Sequence, residues 1–236
     1  MVESMESMIR HEVFPTLLGE FRYDNQPAFK DIFMQHYEKY GKYLDTGLFV
    51  TGEAEGVNRL HHEPAFADFY SWIGKCVIEY LTALNLNLDN FHIILAKSWL
   101  SFCEYKFGGS VPPHNHADHH LSFVYYVDSP EGCDTINFRD NRVPMNEPFY
   151  GSFDHNLGKP PNTFGPNKYN DPGYYLHPID GQLIIFPSKL DHFTMKLGEY
   201  EGYRRCIAGD FLLVYKDVNN HNPFGMYREQ YWKFYT

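Results

Sequence analysis

From Glu63 onward, apolar side chains recur every three or four residues. Phe66, Phe69, Ile73, Val77, Tyr80 and Leu84 fall on one stripe, the period of an amphipathic helix. The polar run "NLNLDN" (Asn85 to Asn90) ends it. Gln26 to Tyr43 reads as an earlier helix, weakened by Gly41 and a crowd of tyrosines. Past His92 the period changes. "HIILAKSWLSFCEYKF" is rich in β-branched and aromatic residues and is long enough for one bent strand or two short ones. "LSFVYYV", "DTINF", "GQLIIFP", "HFTMKL" and "RRCIAGDFLLVY" follow as further strands. Helices first and strands afterwards predict an α+β, mainly β fold, with a helical layer against an antiparallel sandwich or barrel.

Arg139 to Leu176 breaks this rhythm with a stretch dense in Pro, Gly, Asn and aromatics. A long insertion of that kind reads as a flap over a site or as a surface loop. The aromatic tail "NPFGMYREQYWKFYT" is expected to pack on the domain or on a second copy.

Composition narrows the class. With 43% hydrophobic and 18% aromatic residues the chain can bury a substantial core without staples. Thirty acidic against twenty basic residues give a net charge of −10, which disfavours nucleic acid and anionic membrane as partners. No stretch approaches the roughly 18 uncharged apolar residues of a membrane span. The opening "MVESMESMIRHEVF" is acidic and has no apolar signal-peptide core. Four scattered cysteines, with no CxxC, suit reduced thiols in a cytoplasmic setting.

The chemistry concentrates in "SVPPHNHADHHLSFVYYV", Ser110 to Val127. In an extended chain, side chains at i and i+2 share a face. His114 and His116 therefore project together, and so do His116 and Asp118; of His119 and His120, at most one looks inward. A further ligand must come from a distant strand, and His192 in "GQLIIFPSKLDHF" is the best placed. Two ligands at i, i+2 and one remote histidine form a facial triad that leaves open positions on the metal. Imidazole suits Fe, Zn, Cu or Ni.

Twelve residues beyond His192 stands "YRRCIAGDF". Alternation puts Arg204, Cys206 and Ala208 on one side and Arg205 and Ile207 on the other. An arginine aimed into an apolar interior needs an anion, and its fork matches a carboxylate. Arg204 is the preferred inward residue. On "LSFVYYV", Ser122, Val124 and Tyr126 share a face. If that face lies on the metal side, Tyr126 can bind the same anion, as can Tyr105 from the preceding strand.

These segments, "PPHNHADHHLSFVYYVDSPEG", "GQLIIFPSKLDHF" and "YRRCIAGDF", resemble the Fe(II)/2-oxoglutarate-dependent oxygenases. The closest likeness is to a branch found in bacteria and phages with the pattern H-x-H-x-x-x-x-LSGVYYV, then FPSWL-x-H, then an arginine-led strand. The resemblance covers most of the chain but not the 139–176 insertion. It implies one domain over residues 1–236, with a helical part (1–90), a double-stranded β-helix core (91–216) and a tail (217–236). It implies Fe(II) held by two ligands near one core strand and a histidine near a later one. It also implies 2-oxoglutarate chelating the iron, its far carboxylate on Arg204 with Tyr126 and Tyr105 nearby and Ser122 on the same face. The expected reaction is hydroxylation of an unactivated C–H bond of a small-molecule or peptidyl substrate, with release of succinate and CO₂.

Two points depart from the pattern. The superfamily uses H-x-D, and this chain offers either His114 with His116 or His116 with Asp118. The glycine expected after "LS" is Phe123, which is expected to narrow the pocket. Two rival functions stay open. A three-histidine dioxygenase that does not use 2-oxoglutarate would have no need of an inward arginine. A non-enzymatic β-sandwich would use its histidines for nothing.

Overall fold

The computed structural model describes residues 15–24, 26–37, 48–50, 58–104, 110–140, 173–196, 198–216 and 233–235. Among the described residues, two α-helices, α1 (Gln26–Tyr37) and α2 (Ala67–Ala83), accompany ten strands. The strands are β1 (Gly19–Arg22), β2 (Leu48–Val50), β3 (Phe91–Glu104), β4 (Leu121–Asp128) and β5 (Thr135–Arg139), followed by β6 (Gly173–Leu176), β7 (Gln182–Pro187), β8 (Asp191–Met195), β9 (Tyr203–Tyr215) and β10 (Lys233–Phe234). The larger sheet has the order β1-β7-β4-β9-β3-β10, with β2 also on β3; the smaller is β6-β5-β8. All named pairings are antiparallel.

Alternation along the central strands builds two cores from one sheet. Phe123, Tyr125 and Val127 of β4, with Leu183 and Ile185 of β7, face Phe29, Phe33, Phe69, Ile73 and Val77 of the helices. Tyr126, Ile184, Phe186 and Cys206 face Ile136 and Phe138 of the smaller sheet. Both faces are covered, so "LIIF" reads as an unbroken apolar run. Each fully buried side chain of that size contributes about 1.5–3 kcal/mol.

The stripe read from sequence forms α2. Phe66, Phe69, Ile73, Val77 and Tyr80 are buried, while Leu84 stands exposed past the helix end. Asn85, at φ 57°, turns the chain out of the helix. The first helix ends at Tyr37, and 38–43 lie outside the described residues.

Four short strands depart from the sequence reading. β1 and β2 lie in the stretch expected to be helical, β6 lies inside the expected insertion, and β10 lies in the tail. Their bonds come from neighbours: β1 pairs with β7, β2 and β10 with β3, and β6 with β5. After β10, Tyr235 packs on this domain. Its ring occupies the space that a Cβ on Gly74 of α2 would fill.

The segment from His92 is one strand, bent by a bulge between Leu95 and Lys97. The extra residue inverts the facing. Ile93 and Leu95 face the helices before it, whereas afterwards Leu100 and Phe102 do. Lys97, Trp99 and Ser101 thereby reach the cavity between the sheets.

Candidate active site

The segment leading into β4 runs beside β8. His114 and His192 exchange two backbone hydrogen bonds, His114 N–H to His192 O (3.1 Å) and His192 N–H to His114 O (2.9 Å). The His116 N–H donates to Ser188 O at 2.8 Å. These bonds fix the register of two chain points more than seventy residues apart in sequence. They bring the three rings together at tilted and edge-on angles, with centroids 4.2 Å (His114–His192), 5.1 Å (His116–His192) and 5.2 Å (His114–His116) apart.

One nitrogen from each of His114, His116 and His192 lies within 4.8 Å of the others. The other nitrogen of each ring has a partner of its own. Nδ1 of His114 donates to Pro112 O (2.8 Å) and Nδ1 of His192 to Leu190 O (2.9 Å). Nδ1 of His116 donates to the Asp210 carboxylate (2.6 Å). Each bond fixes the tautomer and leaves an Nε2 lone pair free, the form in which imidazole ligates a metal. Burial disfavours the protonated rings: it lowers the pKa of His114 and takes that of His192 down to about 3.

Asp210, on β9, is fully buried. Burial opposes its ionisation, but the hydrogen bond from His116 and the charges of His116, His119 and Lys97 outweigh it, so the carboxyl lies below its usual range. The Ser122 hydroxyl donates to the same oxygen (2.7 Å) and stands 2.9 Å from the Ser188 hydroxyl. Around the second oxygen, Nδ1 of His119 lies at 3.6 Å and Nζ of Lys97 at 3.7 Å. The Lys97 ammonium also sits 4.9 Å from the Trp99 ring centroid. The sequence reading passed over Asp210, although the alternation that singled out Arg204, Cys206 and Ala208 reaches Asp210 at the next step.

Arg204 is buried, lines the cavity and donates from Nη1 to Asp134 O at 3.3 Å. Arg205 faces the other way and pairs with Asp128. Tyr126 is buried on the Arg204 side of the cavity, and burial pushes its phenol well above the usual range. Ser122 faces the cavity, but its hydroxyl is held by Asp210 and Ser188. Asp118 lies outside the triad. A hydrogen bond from His119 N–H to His116 O closes a turn at Ala117–Asp118 and interrupts the extended run, leaving Asp118 exposed. The i, i+2 rule holds for His114 and His116 and lapses one residue later. Of the two following histidines, His119 is buried toward Asp210, while Nδ1 of His120 accepts from Leu213 N–H (3.1 Å). Tyr105 lies outside the described residues. Phe123 is among the residues lining the cavity, and its ring packs into the helix-side core, over Gly209.

The triad, Arg204 and Tyr126 open on one cavity of about 680 Å³, walled by Trp99, Val124, Ile136 and Phe186. Residues 97–210 match the family described as "Putative 2OG-Fe(II) oxygenase". That segment matches a 2OG-Fe(II) oxygenase domain over a little under half of the chain. These oxygenases use Fe(II) and 2-oxoglutarate, and the domain contains the triad, the arginine and the cavity between them. No curated protein matches the chain.

Among solved structures, the domain and its flanks are similar to SnoN, a non-heme α-ketoglutarate-dependent epimerase from nogalamycin biosynthesis. Identity is 12%, coverage 92% of this chain and 91% of that one, and the TM-score 0.55. SnoN has also been solved with Fe³⁺, α-ketoglutarate and nogalamycin RO. The carbocyclase SnoK, from the same biosynthesis, matches at 9% identity, 94% and 92% coverage and a TM-score of 0.55. A Pseudomonas putida prolyl-4-hydroxylase matches at 12% identity, 84% and 88% coverage and a TM-score of 0.47. The SnoN and SnoK likenesses show a shared fold.

Proposed function

We propose that the chain is an Fe(II)- and 2-oxoglutarate-dependent dioxygenase that hydroxylates an unactivated C–H bond, built on a double-stranded β-helix. The convergence of one nitrogen from each of three histidines at two remote chain points, each ring also hydrogen-bonded through Nδ1, carries this reading. In it, His114, His116 and His192 hold Fe(II) on one face. When bound, the iron supplies the activation of O₂ that is coupled to oxidative decarboxylation of 2-oxoglutarate to succinate and CO₂.

The chain's own residues do the rest. Arg204 receives the distal carboxylate of 2-oxoglutarate, a two-point match of fork and acid. Tyr126, protonated at all working pH values, donates to the same carboxylate. Val124, Ile136 and Phe186 exclude water from the space between Arg204 and the triad. The cavity volume lies within the range of roughly 300–1,000 Å³ usual for small-ligand sites. That supports a small molecule or a single peptidyl side chain as substrate. The match of residues 97–210 to the 2OG-Fe(II) oxygenase family, with Arg204 lining the cavity, favours this reading over a dioxygenase that does not use 2-oxoglutarate.

The test is product analysis. Purified protein with Fe(II), O₂ and labelled 2-oxoglutarate is expected to release succinate and CO₂ slowly even without substrate. The release should stop in His192→Ala and fall steeply in Arg204→Met. Release that persists in His192→Ala, or none from the wild type supplied with Fe(II), O₂ and 2-oxoglutarate, would remove the reading.

A further inference from the structure

The triad has an unusual composition for a ferrous site. A carboxylate among the ligands supplies a full negative charge at the metal, whereas three neutral imidazoles supply none. Asp118, the acid that the sequence offered for that place, stands exposed in a turn outside the cluster. A different acid stands directly behind the cluster. Asp210 is fully buried, its Oδ1 is 2.6 Å from His116 Nδ1, and one nitrogen of that imidazole lies within 4.8 Å of a nitrogen of each of the other two rings.

We infer that Asp210 is the positioning carboxylate of this centre, acting on the metal through the His116 ring in place of a directly coordinated acid. The inference rests on the metal-site reading above. A charge-assisted hydrogen bond at Nδ1 draws the proton toward the carboxylate and makes the opposite nitrogen a stronger donor. The ring so polarised takes over part of the role of an anionic ligand.

The surroundings fit this role. Ser122 donates to the same oxygen as His116, so the acceptor is held from two sides. Nζ of Lys97 (3.7 Å) and Nδ1 of His119 (3.6 Å) flank the other oxygen. The Lys97 ammonium favours the ionised carboxylate without competing for Oδ1. The β3 bulge places Lys97 there, directly across from Asp210 in the β3–β9 register. Removing such an outer partner costs about 10–100-fold in metal affinity.

The experiment is an anaerobic Fe(II) competition against a chromophoric chelator, run on the whole chain with four variants. Asp210→Asn keeps the shape and removes the charge, and it is expected to bind 10–100-fold more weakly. Ser122→Ala keeps the charge and should lose much less. In His116→Asp with Asp210→Asn the carboxylate moves into the coordination sphere and the amide stands behind it. That pair is expected to recover affinity to within a few fold of wild type, a rescue that a merely structural Asp210 would not allow.

His192→Ala separates the two claims. If it binds as well as wild type, the metal site itself is wrong; if it loses binding while Asp210→Asn does not, only the role of Asp210 falls. An unrescued double variant would also overturn that role. Should Asp210→Asn fail to fold, ¹⁵N-histidine spectra of the wild-type Zn(II) form decide instead. A protonated Nδ1 on His116 with a strongly downfield N–H supports the inference, and a deprotonated or metal-bound Nδ1 overturns it.

Discussion

Two side chains of β9, six residues apart, carry opposite charges, Arg204 lining the cavity and Asp210 buried behind His116. Arg204 lies toward Tyr126, and Asp210 lies against His116. The distance along the strand separates an anion-binding end from a metal end. Arg204→Met should raise the concentration of 2-oxoglutarate needed for half-saturation roughly ten- to hundredfold, because a charge-assisted hydrogen bond is worth about 1.5–3 kcal/mol. Arg204→Lys, which keeps the charge and loses the fork, should lie between the two. Isothermal titration with the metal-loaded protein measures both. Equal affinities in all three would place the carboxylate elsewhere. Tyr126→Phe tests the same end more gently, with a loss of about 0.5–1.5 kcal/mol for one neutral hydrogen bond.

Among the elements, β9 and β4 fit each other through a large residue opposite a small one. Phe123 lies across from Gly209, and a Cβ there would stand 2.4 Å from the Phe123 ring and 2.8 Å from the Lys97 carbonyl. Gly209→Ala should therefore lower stability by about 1–3 kcal/mol, read as a lower denaturant midpoint. Phe123→Leu in the same chain should recover only part, because the Lys97 carbonyl is backbone. An unchanged midpoint would mean the strands separate more easily than their packing implies. β8 carries a second, pH-dependent contribution. The pKa of His192 is lowered to about 3 and that of buried His119 to about 4. Both are neutral when folded and protonate more readily when unfolded. Their stabilisation is thus present above an ordinary histidine pKa of about 6.5 and is lost as pH falls toward the folded values. Metal-free protein should show a falling urea midpoint between pH 6.5 and 4, with a shallower fall in His192→Gln. The elements legible in the sequence were the long ones with a clear period, α2 and the strands β3, β4, β7 and β9. β1, β2, β6 and β10 are two to four residues long and owe their form to strands elsewhere in the chain. The triad was legible because its spacing and its remote partner are both local patterns. Asp210 was not, since an acid in "AGDFLL" shows its purpose only once β9 is paired beside His116.

For the whole molecule, the triad joins the two sheets. His192 belongs to β8 of the smaller sheet, and His116 leads into β4 of the larger. Any ion held there ties them together. Ligand at 100 times its dissociation constant stabilises by about 2.7 kcal/mol. For a chain of this size that corresponds to roughly 5–10 °C in Tm. Such a rise should accompany Fe(II) or Zn(II) addition to wild type and be absent in His192→Ala, measured by scanning calorimetry; an equal rise in both would place the ion at another site. Among the described residues no helix is long and apolar enough to cross a membrane, and Cys76, Cys133 and Cys206 are buried free thiols. The free thiols call for calorimetry under reducing conditions. The most direct single test of the centre is an anaerobic titration of the Fe(II)-loaded protein with 2-oxoglutarate, followed by visible absorption. One equivalent per chain should develop a saturable charge-transfer band that is lost in His192→Ala and displaced to higher concentration in Arg204→Met. A wild-type protein that binds iron yet develops no band, or a band unaffected by removal of His192, would contradict a shared iron and 2-oxoglutarate site between these sheets.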